Sequence, residues 1–351
     1  MKLRGRILVD DAWRAALDAI AETRGFPASH DVADLARCVS AVSHAYNHEG
    51  HDAAETVKKA DALSARLSFF FLRDIAKGWG ALRELAAAGL LDKPSLKVLD
   101  LGAGIGAMTW GLAHALAEHP HASRSIEAVL CDADAEALSL AKAVAENRTS
   151  VGDVKVTIRT DRQLAPFSPS LAGAPFDLVI AGQLLSELDL DLAPADRVKK
   201  HARLVRAWLD AVTPEGALVI VEPALRNRTR HLHALRDALA EMKAATIFAP
   251  CLHAASCPAL AREDDWCAEN RAIDLPSWLV PVARAASLRW EGSTFSYLVL
   301  RKDEISLARI ASSHAARFRV VSDAIVTKGK SEFFLCGVMP ATAGESAGRI
   351  R

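Results

Sequence analysis

Three glycines, Gly102, Gly104 and Gly106, stand at alternate positions just after the run LKVLDL. Glycines at that spacing let a turn pass close beneath a ligand, and the first N–H groups of a following helix are free to bond it. Asp132 ends the next β-type run and Asp161 the one after. A carboxylate at the first place can take both hydroxyls of a ribose. One at the second can accept from an adenine amine. Asp100, inside the first run, and Gln183 and Leu184, after the fourth, complete the expected cofactor-binding set. GxGxG differs from the GxGxxG of dinucleotide folds, so a nicotinamide cofactor is the weaker reading. A glycine turn that only packs a helix on a strand is the bland alternative, and acids in register on the following strands weigh against it.

Cysteine carries the second chemistry. Six cysteines in 351 residues are too sparse for a secreted disulfide scaffold. Cys251, Cys257 and Cys267 nevertheless crowd a stretch broken by Pro250 and Pro258, and Cys336 lies far downstream at the end of a strand-like run. Four thiolates at one point make a closed site for zinc or an iron–sulfur cluster. The spacing is wider than the tight pairs of a zinc ribbon, which mildly favours a cluster. His253 could serve a Cys3His site. Alone, Cys336 would read as core, as Cys38 and Cys131 do.

Basic residues form the third group. Arg226, Arg228 and Arg230 follow the fifth strand, with His231, His233 and Arg236 close behind. Lys199, Lys200, Arg203 and Arg206 lie on the outward face of an amphipathic stretch, and Lys328 and Lys330 come late. Such density suits phosphate contacts, while any one of these residues also fits a merely solvated face. Glu187 and Glu222 either close the cofactor pocket or cap turns. No residue is marked as a general base.

The elements that must position these groups follow from periodicity. Residues 1–92 carry helical stripes, such as Trp13, Ala16, Leu17 and Ile20, and almost no strand signal. Residues 93–302 alternate β and α, giving an α/β fold with a mostly parallel sheet and ligands at the strands' carboxyl ends. Residues 250–290 interrupt that rhythm with little regular pattern. Residues 303–351 form a C-terminal β extension that supplies the fourth cysteine. Lys and Arg number 43, as do Asp and Glu. The balance excludes a uniformly basic RNA binder but not a regional patch. No apolar run approaches the about 20 residues that span a bilayer. Asp10 and Asp11 interrupt any secretory h-region, so a cytoplasmic, monomeric protein without membrane contact is expected.

The run VLDLGAGIG resembles the first motif of class I S-adenosylmethionine-dependent methyltransferases, and residues 131–138 resemble the second. Those enzymes that methylate amines carry an Asn/Asp-Pro-Pro-aromatic cluster where this chain has Ala181-Gly182-Gln183-Leu184. Pro250-Cys251 is similar to the Pro-Cys of RNA 5-methylcytosine enzymes, but follows the fifth strand without the preceding Asp, so Cys251 is not read as a nucleophile. A more specific resemblance begins at LSFFFLRDIAKGWGAL and continues through Ala249-Pro250-Cys251-Leu252-His253, Ser256-Cys257-Pro258, Asp265-Trp266-Cys267, Phe295-Ser296-Tyr297-Leu298 and Lys328-Gly329-Lys330 to Cys336. In that order these motifs resemble the methyltransferase-like assembly factors of the mitochondrial small ribosomal subunit and their bacterial relatives. The resemblance implies a 4Fe–4S cluster on Cys251, Cys257, Cys267 and Cys336, and docking on small-subunit ribosomal RNA. Ala268-Glu269-Asn270 departs from the relatives' usual His-Phe after the third cysteine.

The sequence thus points to an S-adenosylmethionine-binding, RNA-directed factor of small-subunit assembly with a structural 4Fe–4S cluster. The RNA contacts expected are Lys199, Arg203, Arg226, Arg228 and Arg230. Whether it transfers a methyl group to ribosomal RNA stays open at this point. So do a non-catalytic ribosome-binding module of the same fold and a small-molecule methyltransferase with a zinc-stapled lid.

Overall fold

The computed structural model describes residues 6–48, 57–163, 173–310, 317–322, 324–338 and 347–350. In chain order a short strand β1 (Arg6–Leu8) precedes helices α1 (Trp13–Arg24), α2 (Val32–His48), α3 (Lys59–Ala65) and α4 (Phe71–Ala87), with a π-helical turn at Arg66–Phe70. The alternating part runs β2 (Leu96–Leu101), α5 (Ala107–Ala117), β3 (Ser125–Asp132), α6 (Ala135–Asn147), β4 (Ser150–Val151), β5 (Val154–Arg162), β6 (Phe176–Gly182), α7 (Pro194–Asp210), β7 (Val212–Pro223) and α8 (Arg226–Glu241). Then come β8 (Thr246–Ala249), β9 (Glu269–Asp274), α9 (Leu279–Ala285), β10 (Glu291–Arg301), β11 (Arg317–Val320), β12 (Ile325–Thr327), β13 (Lys330–Glu332), β14 (Leu335–Val338) and β15 (Ala347–Ile350).

The main sheet runs β1-β9-β10-β7-β6-β2-β3-β5-β4, with β8 also paired to β10. Strands β5, β3, β2, β6 and β7 are mutually parallel, and β10 lies antiparallel to β7. Burial on both faces explains why β2 and β6 read as nearly unbroken apolar runs. The chain leaves β2 for β3 on one side and reaches β6 on the other. That makes the gap between β2 and β6 the switch point where an open α/β sheet offers a crevice. This is the Rossmann-like, class I methyltransferase architecture expected from the sequence.

Helix α4 packs on β10 and β7 of the sheet, and α1 packs on α6. Trp13 meets Phe71 and Trp110 edge-on, with ring centroids 5.3 and 5.1 Å apart, and carries the Arg148 guanidinium over its face. Helix α4 crosses α5 at two glycines. A Cβ on Gly111 would lie 2.6 Å from the Ile75 carbonyl oxygen and the Trp79 nitrogen, both rigid helix backbone. Gly111→Ala is therefore expected to force the two helices apart and to cost about 1–3 kcal/mol, read as a lower urea midpoint. An unchanged midpoint would show that the crossing tolerates a wider separation.

Three expectations need correction. The region 1–92 is not purely helical, because β1 pairs in parallel with β9. A three-residue strand is too short to show a period, and its partner comes from the other end of the chain. The segment 250–290 is not irregular throughout: it holds a 3-10 turn at Pro258–Ala261, β9 and α9. In β9 the charged Glu269, Arg271 and Asp274 mask the alternation. The extension 303–351 is not all β, because it opens with a short helix at Leu307–Ile310. At the C-terminus β11, β14 and β15 form a small separate sheet, and β12 with β13 a hairpin.

Candidate functional site

All three glycines of the turn have left-handed backbone, with φ of 62°, 53° and 88°. A Cβ on Gly102 would meet the Leu184 side chain at 2.8 Å, and one on Gly106 would meet Leu130 at 2.7 Å. On Gly104 it would meet nothing within 4 Å. Gly104 is thus the glycine that faces open space, while the other two serve packing. Asp132 first holds this turn: its carboxylate accepts from Gly104 N at 2.7 Å and Asp134 N at 2.9 Å. Each oxygen keeps a second lone pair for a ligand.

Asp100 is wholly buried. One oxygen accepts from Thr109 N and Oγ1 at 3.2 and 2.8 Å, and the other has no partner. Burial raises its pKa to about 7, against the pull of the Thr109 bonds. Asp161, half-buried, accepts from the Gln163 amide at 3.0 Å. Gln183 takes a left-handed turn, its N–H donating to Val221 O, and its side-chain oxygen accepts from Lys77 Nζ at 3.1 Å. Glu222 caps the turn after β6, accepting from Leu185 N and Ser186 N at 2.9 and 3.2 Å, and burial raises it to about 7. Between pocket closure and turn capping, its geometry is that of a cap.

The four cysteines line one cavity of about 50 Å³, together with His253 and Arg236. That volume holds more than one water-sized body. Among the described residues no three His, Cys, Asp or Glu side chains converge on the position of a single metal ion. Helix α8 holds the cysteine loop by its backbone. Arg236, 2% exposed, donates to the carbonyls of His253 and Ala255 and pairs with Asp237, whose carboxylate receives Cys257 N at 2.9 Å. Arg230 donates to the Ala259, Arg262 and Asp265 carbonyls, and His233 lies 3.1 Å from Cys267 O. Cys336 arrives on β14, opposite Arg319 of β11, with its sulfur 3.6 Å from His253 Nε2. Burial, then the neighbouring Cys251, push the Cys257 thiol up to about 12. Thiolates in such a place need cationic partners.

The model of the mitochondrial small ribosomal subunit family Rsm22 matches residues 81–344, from α4 past the fourth cysteine. This chain belongs to the Rsm22 family. No curated protein matches it. Its similarity to solved structures includes a precorrin-6y C5,15-methyltransferase from Geobacter metallireducens, at 14% identity over 63% of this chain and 88% of that one, TM-score 0.34. A methyltransferase from Pyrococcus furiosus shares 11% identity over 63% and 81%, TM-score 0.36. An S-adenosylmethionine-dependent methyltransferase from Clostridium acetobutylicum shares 13% over 78% and 70%, TM-score 0.29.

In this Rsm22-family chain the expected RNA contacts divide between two neighbouring helices. Lys199 and Arg203 are exposed on α7, and Lys199 pairs with Asp196 at 3.3 Å. On α8 Arg226 is exposed and Arg228 half-buried, whereas the Arg230 guanidinium is engaged inward on the cysteine loop. Sequence reasoning missed three polar residues of the N-terminal region that meet the loops after β3 and β6: Arg66, which bonds Asp134, Lys77, which bonds Gln183, and Asp74, which pairs with Lys77. For Asp74 and Lys77 the signal was charge among the apolar residues of α4; for Arg66 there was none.

Proposed function

We propose that this chain binds S-adenosylmethionine at the β2–β6 crevice, carries a structural 4Fe–4S cluster on its four cysteines, and docks on RNA of the small ribosomal subunit during assembly. The observation that carries the reading is the shared cavity: thiols from the 251–267 loop and from β14 face one space that suits a multi-atom group. When bound, the cluster supplies the positive charge that stabilises the thiolates and ties the loop to the C-terminal sheet. The cofactor, when bound, supplies an electrophilic methyl group. Asp132 and Asp161 bind its nucleoside, Gly104 lets it approach, and Arg226, Arg228, Lys199 and Arg203 contact phosphates.

A docking platform without turnover is the second reading. It is favoured by Glu222, which is turned onto Leu185 and Ser186 instead of toward an acceptor. Among the described residues no helix is long and apolar enough to cross a membrane. The name of the family is that of a mitochondrial protein, so the compartment follows the ribosome served and the cytoplasmic assignment is not retained.

Anaerobic purification with iron, sulfide and zinc analysis tests the cluster; stoichiometric zinc would overturn it. Cys267→Ser is expected to abolish visible absorbance and to speed hydrogen exchange in both the 250–267 loop and β14. Full absorbance and unchanged exchange would sink the four-thiol assignment. Labelled cofactor incubated with immature small subunits separates the two readings: bound cofactor with no transferred methyl group favours the platform.

A further inference from the structure

We propose that Lys77 and Asp74, from the N-terminal helical region, receive the amino-acid end of the cofactor; this rests on the S-adenosylmethionine reading above. That ligand has two unlike halves, a nucleoside and a zwitterionic α-amino acid. Asp132 and Asp161 belong to β3 and β5, on one side of the glycine turn. The other side is the crevice between β2 and β6, and one turn of α4 comes up to the end of β6 there.

Two close approaches fix this placement. A Cβ on Gly78 of α4 would stand 3.1 Å from the Met108 backbone, and one on Gly182, at the end of β6, 2.5 Å from the Met108 side chain. One turn of α4 therefore sits against the same methionine as the end of β6. From that turn Lys77 reaches Gln183 at 3.1 Å and Asp74 at 2.7 Å. The pair is largely shielded from solvent, at 15% and 18% side-chain exposure. On the opposite side Arg66 bonds Asp134 at 3.5 Å and Tyr46 at 3.0 Å, so the helical region grips both flanks of the glycine turn. A cation beside an anion in a shielded place is the complement of a zwitterion.

Asp100 provides an independent observation. Its second carboxylate oxygen is buried at the base of the glycine turn and has no hydrogen-bond partner. Buried carboxylate oxygens are normally satisfied, and one left open beside a ligand turn points to a donor that arrives with the ligand. An α-ammonium is such a donor. On this assignment Lys77 takes the ligand carboxylate, Asp74 contributes to holding the ammonium, and Gln183 orients Lys77.

The test is calorimetric titration of the full chain with S-adenosylhomocysteine, decarboxylated S-adenosylmethionine and 5′-methylthioadenosine. Lys77→Met is expected to weaken S-adenosylhomocysteine binding about ten- to hundredfold. Both ligands that lack the carboxylate should bind the variant within twofold of the unaltered chain. Lys77→Arg should restore most of the loss, which a purely structural role for the amine would not do. Equal weakening of all three ligands, or of none, overturns the assignment while leaving the cofactor reading in place. If the unaltered chain binds none of them, the cofactor reading falls and this assignment with it.

Discussion

Arg319→Leu is expected to cost about 3–5 kcal/mol and to release the C-terminal sheet. Arg319 lies on β11, directly across from Cys336 on β14. Its guanidinium pairs with Glu84 of α4, reaches Glu269 of β9 at 3.3 Å, and donates to the Tyr297 hydroxyl of β10 at 3.0 Å. Tyr297 in turn donates to Glu84 at 2.8 Å. One side chain therefore binds the small C-terminal sheet to three elements of the main body. Burial, with the charges of Glu84 and Glu269 close by, holds the Tyr297 hydroxyl protonated well above its ordinary range.

Loss of the guanidinium takes the ion-pair partner from Glu84, which is 3% exposed and keeps the Tyr297 hydroxyl, whereas Glu269 keeps Arg271 at 2.7 Å. A single buried charge left alone costs far more than the pair contributes, so Arg319→Leu with Glu84→Leu should recover much of the stability lost. Urea denaturation of the four members of this cycle measures that coupling. Hydrogen exchange over 317–338 should rise in the single variant. On the proposed cluster, bound iron should fall with it, although no cysteine has changed, because Cys336 loses its support. Wild-type stability and exchange in Arg319→Leu would show that β11 and β14 are held by other contacts.

The sheet was legible because buried parallel strands must be apolar on both faces, and LKVLDL, IEAVLCD, FDLVIAG and ALVIVEP are. The glycine turn was legible because left-handed backbone under a ligand admits few other residues. That the four cysteines line one cavity was suggested only by their chemistry, since nothing local links 251–267 to Cys336. Arginine roles were harder. Arg226 and Arg230, four apart, share a helix face while Arg228 points nearly opposite, so spacing alone does not say which of them meets the cysteine loop. Arg230 and Arg236 turned out to support the loop. Lys77 and Arg319 were invisible as site residues because the partner that places each in its site, Gln183 for Lys77 and Glu84 for Arg319, lies on a distant part of the chain.

Stability is expected to peak near pH 6.5, because buried histidines and buried carboxylates oppose one another. His114 accepts from Trp13 Nε1 at 3.4 Å and stacks on Trp79 at 4.8 Å. Burial, then the charge of Arg148, lower its pKa to about 3. Burial, then Arg197, lower His231 to about 4, and His233 falls to about 4 chiefly through burial. Their folded values lie below the unfolded ones, so this stabilisation is complete above pH 6.5. It is lost as the pH falls toward 3, at about 1.4 kcal/mol per pH unit for each fully linked proton. Asp100 and Glu222, both raised to about 7, act in the opposite sense. Their contribution is complete below about pH 4 and disappears as the pH rises to 7. Between pH 4.5 and 6.5 three histidines outweigh two carboxylates, so stability climbs; from 6.5 to just above 7 only the carboxylates still titrate, and it declines. His114→Phe should make the acid limb shallower by one proton, and Glu222→Gln should flatten the decline above 6.5, whatever either does to absolute stability. Urea midpoints from pH 4.5 to 8.5 give both slopes. A stability that rises steadily through pH 7 would mean that Asp100 and Glu222 are ionised in the folded chain, with water or a ligand reaching their carboxylates.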